Sequence, residues 1–242
     1  MSKLAIILLC ALLAVSCQTK VEPHLDADID QCENCSMIIS NVDHGAVAIN
    51  AAEEMLTFCC PVCVLQTINK LKTTEAPDRP KVFLFDHTTF SAIPAAQAFI
   101  VQGSFRTTMG YGLLAFTAES DAAEFAAEVE GALINWNDLR VQYERADEEI
   151  ELSHTQLEDP PTFEVSRGEI VAVTYDNLAG EAGEIKLSGY DFQMHIPAES
   201  SKAKSFVADK PGQGFVFQNR EGQILASLFV SGDHTTEEAD FR

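Results

Sequence analysis

Two Cys-x-x-Cys pairs constrain this chain more than any other feature of its sequence. The first pair is Cys32 and Cys35, and the second is Cys60 and Cys63. Twenty-four residues lie between the two pairs. Two such pairs at this distance are typical of zinc knuckles and treble-clef folds, in which the second pair lies at the start of a helix. Pro61 suits the first turn of that helix. We therefore expect a compact ββα unit around the cysteines.

Two further sulfur side chains accompany these pairs. Cys59 directly precedes the second pair, and Met37 follows Cys35 by two residues. Thiolates and thioethers are soft ligands that suit Cu(I), whereas four thiolates alone suit Zn(II). A structural zinc site made of the two pairs has no use for Cys59 or Met37. The sequence therefore favours a Cu(I) transfer site, and structural zinc remains the alternative.

The cysteine count leaves two other interpretations open. Seven cysteines occur, and Cys10 and Cys17 fall in the N-terminal leader, so five remain. An odd number cannot all pair within one chain, although an exported protein can form disulfides. A thiol oxidoreductase is the other alternative, but neither pair lies in a βαβ context. Without a catalytic triad, phosphate loop or paired carboxylates, we expect that the protein is not an enzyme.

The N-terminal leader predicts export. Residues 1–17 combine a Lys near the start, an apolar run over Leu4–Val15 and a small residue before Cys17. This pattern is typical of a signal peptide, and its end resembles a bacterial lipobox with Cys17 as the lipidated residue. We expect residues 18–29 to be a tether. The expected location is a bacterial envelope membrane facing the periplasm, the outer membrane being favoured by Gln18.

The charge balance limits the partners of the chain. Sixteen Lys and Arg stand against 37 Asp and Glu, which gives a net charge of −21 over 242 residues. An acidic surface repels phosphate backbones, so nucleic acid is not an expected partner.

The remainder of residues 30–145 repeats the ββα pattern. Phe58 and Phe116 occupy the same strand-to-helix corner, 58 residues apart. The second copy has no cysteine, but Met109 lies in its glycine-rich loop over residues 103–112. That loop position makes Met109 a candidate third soft ligand, with core packing as the other interpretation.

After a predicted linker over residues 146–162, the pattern changes to short alternating strands. Six strands over residues 163–242 predict an all-β sandwich. Their order resembles a cupredoxin, and Gly214–Phe217 matches the strand that leads to the copper cysteine. Here Gln218 and Asn219 follow instead, with no Cys. We therefore expect a cupredoxin-like domain that lacks copper ligands.

One family resemblance covers about residues 28–142. It rests on Asp30-x-Cys32-x-x-Cys35-Ser36-Met37, on Phe58-Cys59 and on the loop from Gln102 to Gly110. These segments resemble the NosL family of copper-carrying lipoproteins, whose motif is usually Cys-x-x-Cys-Gly-Met. The Phe58–Cys63 segment is similar to the TRASH type of metal-binding signature. The resemblance implies Cu(I) at Cys35 and Met37 with Met109 as a further ligand, and delivery to a periplasmic copper enzyme, nitrous oxide reductase being favoured.

The sequence as a whole predicts an α+β protein with two parts. The first is a domain of two ββα, treble-clef-like halves, and the second is an all-β cupredoxin-like sandwich. The expected function is that of a membrane-tethered Cu(I) chaperone; the alternative is an envelope lipoprotein that uses a zinc or disulfide knuckle as an interaction module. The candidate metal ligands are Cys32, Cys35, Met37, Cys59, Cys60, Cys63 and Met109.

Overall fold

The computed structural model describes residues 21–71, 79–153 and 159–232. The predicted signal segment and its lipidation residue Cys17 lie outside the described residues. Within those residues, no helix has the length and apolar character needed to cross a bilayer. The described chain is mixed α+β at its N-terminal end and all-β at its C-terminal end, which confirms the predicted fold class.

The first half of the N-terminal part is a sheet with one helix packed on it. Its strands run in the order β2-β1-β3-β4, and every neighbouring pair is antiparallel. The elements are β1 (Ala46–Ile49), β2 (Met55–Phe58), α1 (Pro61–Leu71), β3 (Lys81–Phe85) and β4 (Ala92–Pro94).

The second half repeats this arrangement. A hairpin of β5 and β6 is followed by a helix, and the next strand pairs with the first strand of the hairpin, as β3 pairs with β1. The elements are β5 (Phe99–Gln102), β6 (Leu113–Phe116), α2 (Glu119–Glu128) and β7 (Ala132–Ile134). A last helix, α3 (Trp136–Tyr143), begins with a capping box between Asn135 and Asp138.

The first hairpin differs from the prediction in its strands. The ββα unit expected around the cysteines has no strand at residues 37–39, where Ile38 makes only an isolated antiparallel bridge to Gln31. The strand that pairs with β1 is β2 instead. The physical reason is that residues 33–36 close a tight turn on the cysteines, which leaves little extended backbone on either side of it.

The C-terminal part is a sandwich of two sheets with the strand orders β13-β10-β8 and β12-β11-β14-β15-β9. Inward side chains alternate with outward ones, as in β12, where Phe192, Met194 and Ile196 are buried. The strands are β8 (Glu148–Ser153), β9 (Thr162–Ser166), β10 (Ile170–Asn177), β11 (Gly183–Leu187), β12 (Phe192–Ile196), β13 (Ser200–Val207), β14 (Gly212–Asn219) and β15 (Ile224–Ser231).

The sandwich begins earlier than the sequence predicted. Residues 148–153 fall in the predicted linker, yet they form β8, which pairs in parallel with β10. Only Ile150 and Leu152 of this strand are buried, while its exposed positions are mostly Glu. Acidic residues are uncommon in strands, so the alternation of buried and exposed residues in this segment was not recognised as a strand.

A buried ion cluster joins the two parts. The Glu144 side chain is fully buried and accepts hydrogen bonds from Arg79 and, at 2.8 Å, from Arg140. Arg140 also donates to the carbonyl of Gly168 in the sandwich, and Arg79 pairs with Asp147 at 2.7 Å. The sandwich is therefore attached to α3 by directed contacts as well as by the chain itself.

Candidate metal centre

Four cysteine thiols converge where the turn at residues 33–36 meets the start of α1. The Sγ atoms of Cys32, Cys35, Cys59 and Cys63 all lie within 4.8 Å of one another. The Sγ of Cys59 is 3.6 Å from that of Cys35 and 3.7 Å from that of Cys63. No disulfide links them. In the part of the chain that the structure describes, this is the one group of three or more Cys, His, Asp or Glu side chains placed to share a metal ion.

The four thiols differ in their access to solvent. Cys32, Cys59 and Cys63 are at most 2% exposed, while Cys35 is only partly buried. A metal ion held by this group would therefore be shielded on most sides and reached from the side of Cys35.

A tight turn places Cys32 and Cys35 together. The Ser36 amide donates to the carbonyl of Cys32 at 2.7 Å, and the Cys32 amide donates to the carbonyl of Met37 at 2.8 Å. Ser36 has a φ of 61°, in the left-handed region that favours glycine. The turn therefore holds Ser36 in a backbone conformation that glycine adopts at lower cost.

Backbone and side-chain hydrogen bonds hold this turn against the rest of the first half. The Glu33 amide donates to the carbonyl of Thr57 in β2 at 3.0 Å. Asn34 donates to Gln66 of α1 at 2.8 Å and accepts from Lys70 of the same helix at 2.7 Å. The turn is thus fixed to β2, which Cys59 directly follows, and to α1, which carries Cys63.

Cys60 lies outside the group of four. It directly precedes α1, and its Sγ accepts a hydrogen bond of 3.4 Å from the Cys63 amide. This is the geometry of a helix N-cap, in which a side chain accepts from the amide three residues on. The zinc alternative joined the two Cys-x-x-Cys pairs and so included Cys60, whereas the structure groups Cys59 with Cys32, Cys35 and Cys63.

The first turn of α1 favours a thiolate at Cys63. Hydrogen bonds, the largest from the Cys60 thiol, lower the pKa of Cys63 to about 5. Burial raises the pKa of Cys32 and of Cys59, and the hydrogen bond to Cys63 together with burial raises that of Cys60. Metal binding at the cluster must consequently displace protons from buried thiols.

Met37 and Met109, the two methionines predicted as soft ligands, have different surroundings. Met37 follows the turn and is 43% exposed. Met109 is half-buried and packs against the same core that contains the cysteines. Its loop is closed by the Gly103 amide, which donates to the carbonyl of Gly112 at 2.9 Å. The Thr108 amide donates to Nδ1 of His44 at 3.2 Å, which ties the Met109 loop to the first half.

The sandwich offers no comparable group within its described residues. Met194 is 2% exposed inside the sandwich. His195 points outward beside Glu184, with 72% of its side chain exposed. Neighbouring strand residues face opposite sides of a sheet, so these two side chains cannot share an ion. The structure therefore leaves the four-thiol cluster as the candidate centre.

A family comparison covers the part of the chain that contains the cluster. A NosL family profile matches residues 24–143, the span that contains the whole cluster and Met109. No curated protein matches the chain.

Several solved structures each match less than half of the chain. The copper chaperone NosL from Shewanella denitrificans is 21% identical and covers 48% of this chain and 92% of its own, with a TM-score of 0.38. Auracyanin B is 12% identical over 37% of this chain and 92% of its own, with a TM-score of 0.31. An auracyanin from Roseiflexus castenholzii is 16% identical over 36% of this chain and 100% of its own, with a TM-score of 0.30.

Four converging thiols on a repeated ββα scaffold define the N-terminal part as a domain able to hold a soft metal ion. The family match gives that domain its name: residues 24–143 belong to the NosL family. The predicted family resemblance is thereby confirmed.

Proposed function

We propose that this chain carries Cu(I) on the four-thiol cluster and passes it to a copper protein. The observation that carries the proposal is the convergence of Cys32, Cys35, Cys59 and Cys63 within 4.8 Å in a NosL-family domain. Thiolates are the ligands that Cu(I) prefers. The partial exposure of Cys35 gives an incoming ligand a place to attack, which a carrier requires and a closed structural site does not.

An anaerobic Cu(I) titration of residues 18–242 against a competing chelator tests this proposal. We expect tight binding of one Cu(I), weakened at least about tenfold by Cys35→Ser or Cys59→Ser, since each removes one soft ligand. Met37→Ala tests the predicted thioether ligand in the same assay. Cys60→Ser is the matched control, because serine can replace the thiol as a helix cap. Equal losses in Cys60→Ser and Cys35→Ser would contradict the assignment of the cluster.

A structural zinc site is the second candidate. Four thiolates about 2.3 Å from a tetrahedral Zn(II) lie about 3.8 Å apart. The separations of 3.6 and 3.7 Å around Cys59 are close to that edge length. Metal analysis of the purified chain separates the candidates. Stoichiometric zinc that Cu(I) does not displace would favour a knuckle that stabilises an interaction module.

The place and target of delivery are further proposals. We infer that Cys17 is lipidated and tethers the chain to an envelope membrane, the outer one being favoured, so that it faces the periplasm. The acceptor would then be a periplasmic copper enzyme, with nitrous oxide reductase favoured by the family. Labelled fatty acid incorporated by the wild type but not by Cys17→Ser would support the anchor. Undiminished nitrous oxide reductase maturation in a deletion strain would contradict the target.

A further inference from the structure

Three exposed apolar side chains lie on the hairpin that carries Cys32 and Cys35. Ile29 is 75% exposed, Met37 is 43% exposed and Ile38 is 49% exposed. The Ile39 amide donates to the carbonyl of Asp30 at 2.9 Å, which sets residues 28–32 beside residues 37–39. We call Ile29, Met37 and Ile38 the hairpin patch. Its Met37 follows Cys35, the partly exposed member of the cluster, by two residues.

Isolated exposed apolar residues are normal, but their grouping here is not. The seven large apolar side chains exposed among the described residues include all three of the hairpin patch. None of the three packs in the N-terminal core, although that core reaches both Cys32 and Ile39 on the same hairpin. Three quarters of the Ile29 surface and nearly half of the Met37 and Ile38 surfaces therefore remain open to a partner.

Acidic side chains flank the hairpin patch. Residues 21–70 contain eight Asp or Glu and a single Lys or Arg, Lys70, which donates to Asn34 in the turn of the hairpin. Asp26, Asp28 and Glu33 are exposed on the segments that form the hairpin. An apolar centre with a charged rim is the usual anatomy of a protein–protein interface, and rim charges mainly control the association rate and the choice of partner.

We infer that the hairpin patch docks a metal-acceptor protein whose own site is surrounded by an apolar surface with a Lys or Arg rim. This inference rests on the proposed function, since docking here would bring an acceptor sulfur next to Cys35. The acceptor thiolate bonds to Cu(I) as the bond from Cu(I) to Cys35 Sγ breaks. The released Cys35 thiolate takes a proton from water, and copper remains Cu(I) throughout.

Two synthetic acceptor peptides test this inference. Both carry the same Cys-x-x-Cys core, one flanked by lysines and the other by glutamates, and Cu(I) transfer from the loaded chain (residues 18–242) is followed by stopped flow. At low salt we expect the lysine peptide to be at least about tenfold faster, because unlike charges steer encounter. The ratio of the two transfer rates should fall to about twofold or less near 1 M salt, where the Debye length is about 3 Å.

Matched variants separate the local rim from the overall charge. The triple variant Asp26→Asn, Asp28→Asn, Glu33→Gln removes three charges beside the patch. The control Glu148→Gln, Glu149→Gln, Glu151→Gln removes three exposed charges from β8 in the sandwich. We expect the hairpin variant to transfer Cu(I) to the two peptides at nearly equal rates. The β8 variant should still transfer Cu(I) faster to the lysine peptide. Ile38→Ser should slow transfer to both peptides while leaving the Cu(I) affinity unchanged.

The outcomes are distinguishable. A chain that does not load Cu(I) contradicts the proposed function and the docking inference with it. A chain that loads Cu(I) but delivers it equally fast to both peptides, or whose two triple variants behave alike, contradicts the docking inference alone. Self-association of the metal-free chain that Ile38→Ser abolishes would identify a second copy as the occupant, and would also overturn the inference.

Discussion

At the scale of single residues, the metal centre depends on backbone positions as much as on sulfur. Ser36 holds a left-handed φ of 61° between Cys35 and Met37, and no side-chain hydrogen bond of Ser36 compensates for that conformation among the described contacts. For an L-residue the left-handed conformation costs about 1–2 kcal/mol. The turn that joins Cys32 to Cys35 therefore carries strain that glycine would relieve.

Ser36→Gly should stabilise the metal-free chain by about 0.5–1 kcal/mol, because the strain it relieves exceeds the extra entropy of glycine in the unfolded chain. Urea unfolding of the reduced protein measures the change. Ser40→Gly is the matched control, since Ser40 is exposed and its φ is not positive. It should be neutral or destabilising. A loss of stability in Ser36→Gly would show that Ser36 makes a compensating interaction.

Sequence reasoning found the thiols but not their grouping. All four cysteines of the cluster were named as candidates, since thiol spacing near a strand-to-helix corner is visible in the sequence. Because of the regular Cys-x-x-Cys spacing, the zinc alternative included Cys60 as a ligand. In the structure, the Sγ of Cys59 rather than that of Cys60 groups with Cys63. The signal that favours Cys59 is that Cys60 directly precedes Pro61 and so occupies the cap position of α1.

At the scale of elements, Asp86 fastens the two ββα halves together. Its carboxylate, 4% exposed, accepts from the amides of Thr88 and Thr89 in its own turn and from the Thr117 amide after β6. Burial acts to raise the pKa of Asp86, but these hydrogen bonds outweigh it and hold the pKa at about 2. The corner that begins α2 is thereby fixed to the end of β3.

This shift makes stability depend on pH in a defined direction. The pKa of an unfolded Asp is about 3.9, so the folded state gains about 2.5 kcal/mol from Asp86 above pH 5. The gain is lost as the pH falls from about 4 through 2. Asp86→Asn should therefore destabilise the chain by about 2 kcal/mol at pH 7 and progressively less towards pH 2, by urea unfolding. Asp191→Asn, at an exposed turn, is the control. An equal loss at pH 7 and pH 2 would contradict the charge argument.

The elements that local periodicity shows were expected, and those that depend on pairing were not. The helix expected to begin at Pro61 is α1, whereas the six strands expected over residues 163–242 are seven, β9 to β15. The unexpected strand β8 buries only Ile150 and Leu152 and is stabilised by its pairing with β10. Such pairing is a tertiary contact that a local pattern does not contain.

At the scale of the whole molecule, Glu144 joins the NosL-family domain to the sandwich. Its side chain has no exposed surface and is paired with Arg79 and Arg140, while Arg140 and Asp147 bond to the backbone of the sandwich. Glu144 directly precedes the predicted linker and Asp147 lies within it. A local sequence pattern does not reveal a long-range ion cluster of this kind. Removing one member of a buried ion pair leaves an uncompensated charge in the interior.

Glu144→Ala should accordingly lower the free energy of unfolding by about 3–5 kcal/mol. Trp136, the single tryptophan, is 8% exposed in α3 and reports on this junction by its fluorescence. We expect its urea transition to move to lower urea in Glu144→Ala and to stay in place in Glu149→Ala, an exposed change on β8. Coincident transitions of the wild type and Glu144→Ala would mean that the ion cluster does not couple the two parts.

Copper X-ray absorption spectroscopy of the chain loaded with one Cu(I) counts the atoms bound to the metal and so tests whether the four-thiol cluster holds it. We expect sulfur alone to coordinate the copper, with one sulfur fewer in Cys35→Ser and in Cys59→Ser and no change in Cys60→Ser. A shell dominated by nitrogen or oxygen, or one that changes in Cys60→Ser but not in Cys59→Ser, would contradict the assignment of Cu(I) to the four-thiol cluster.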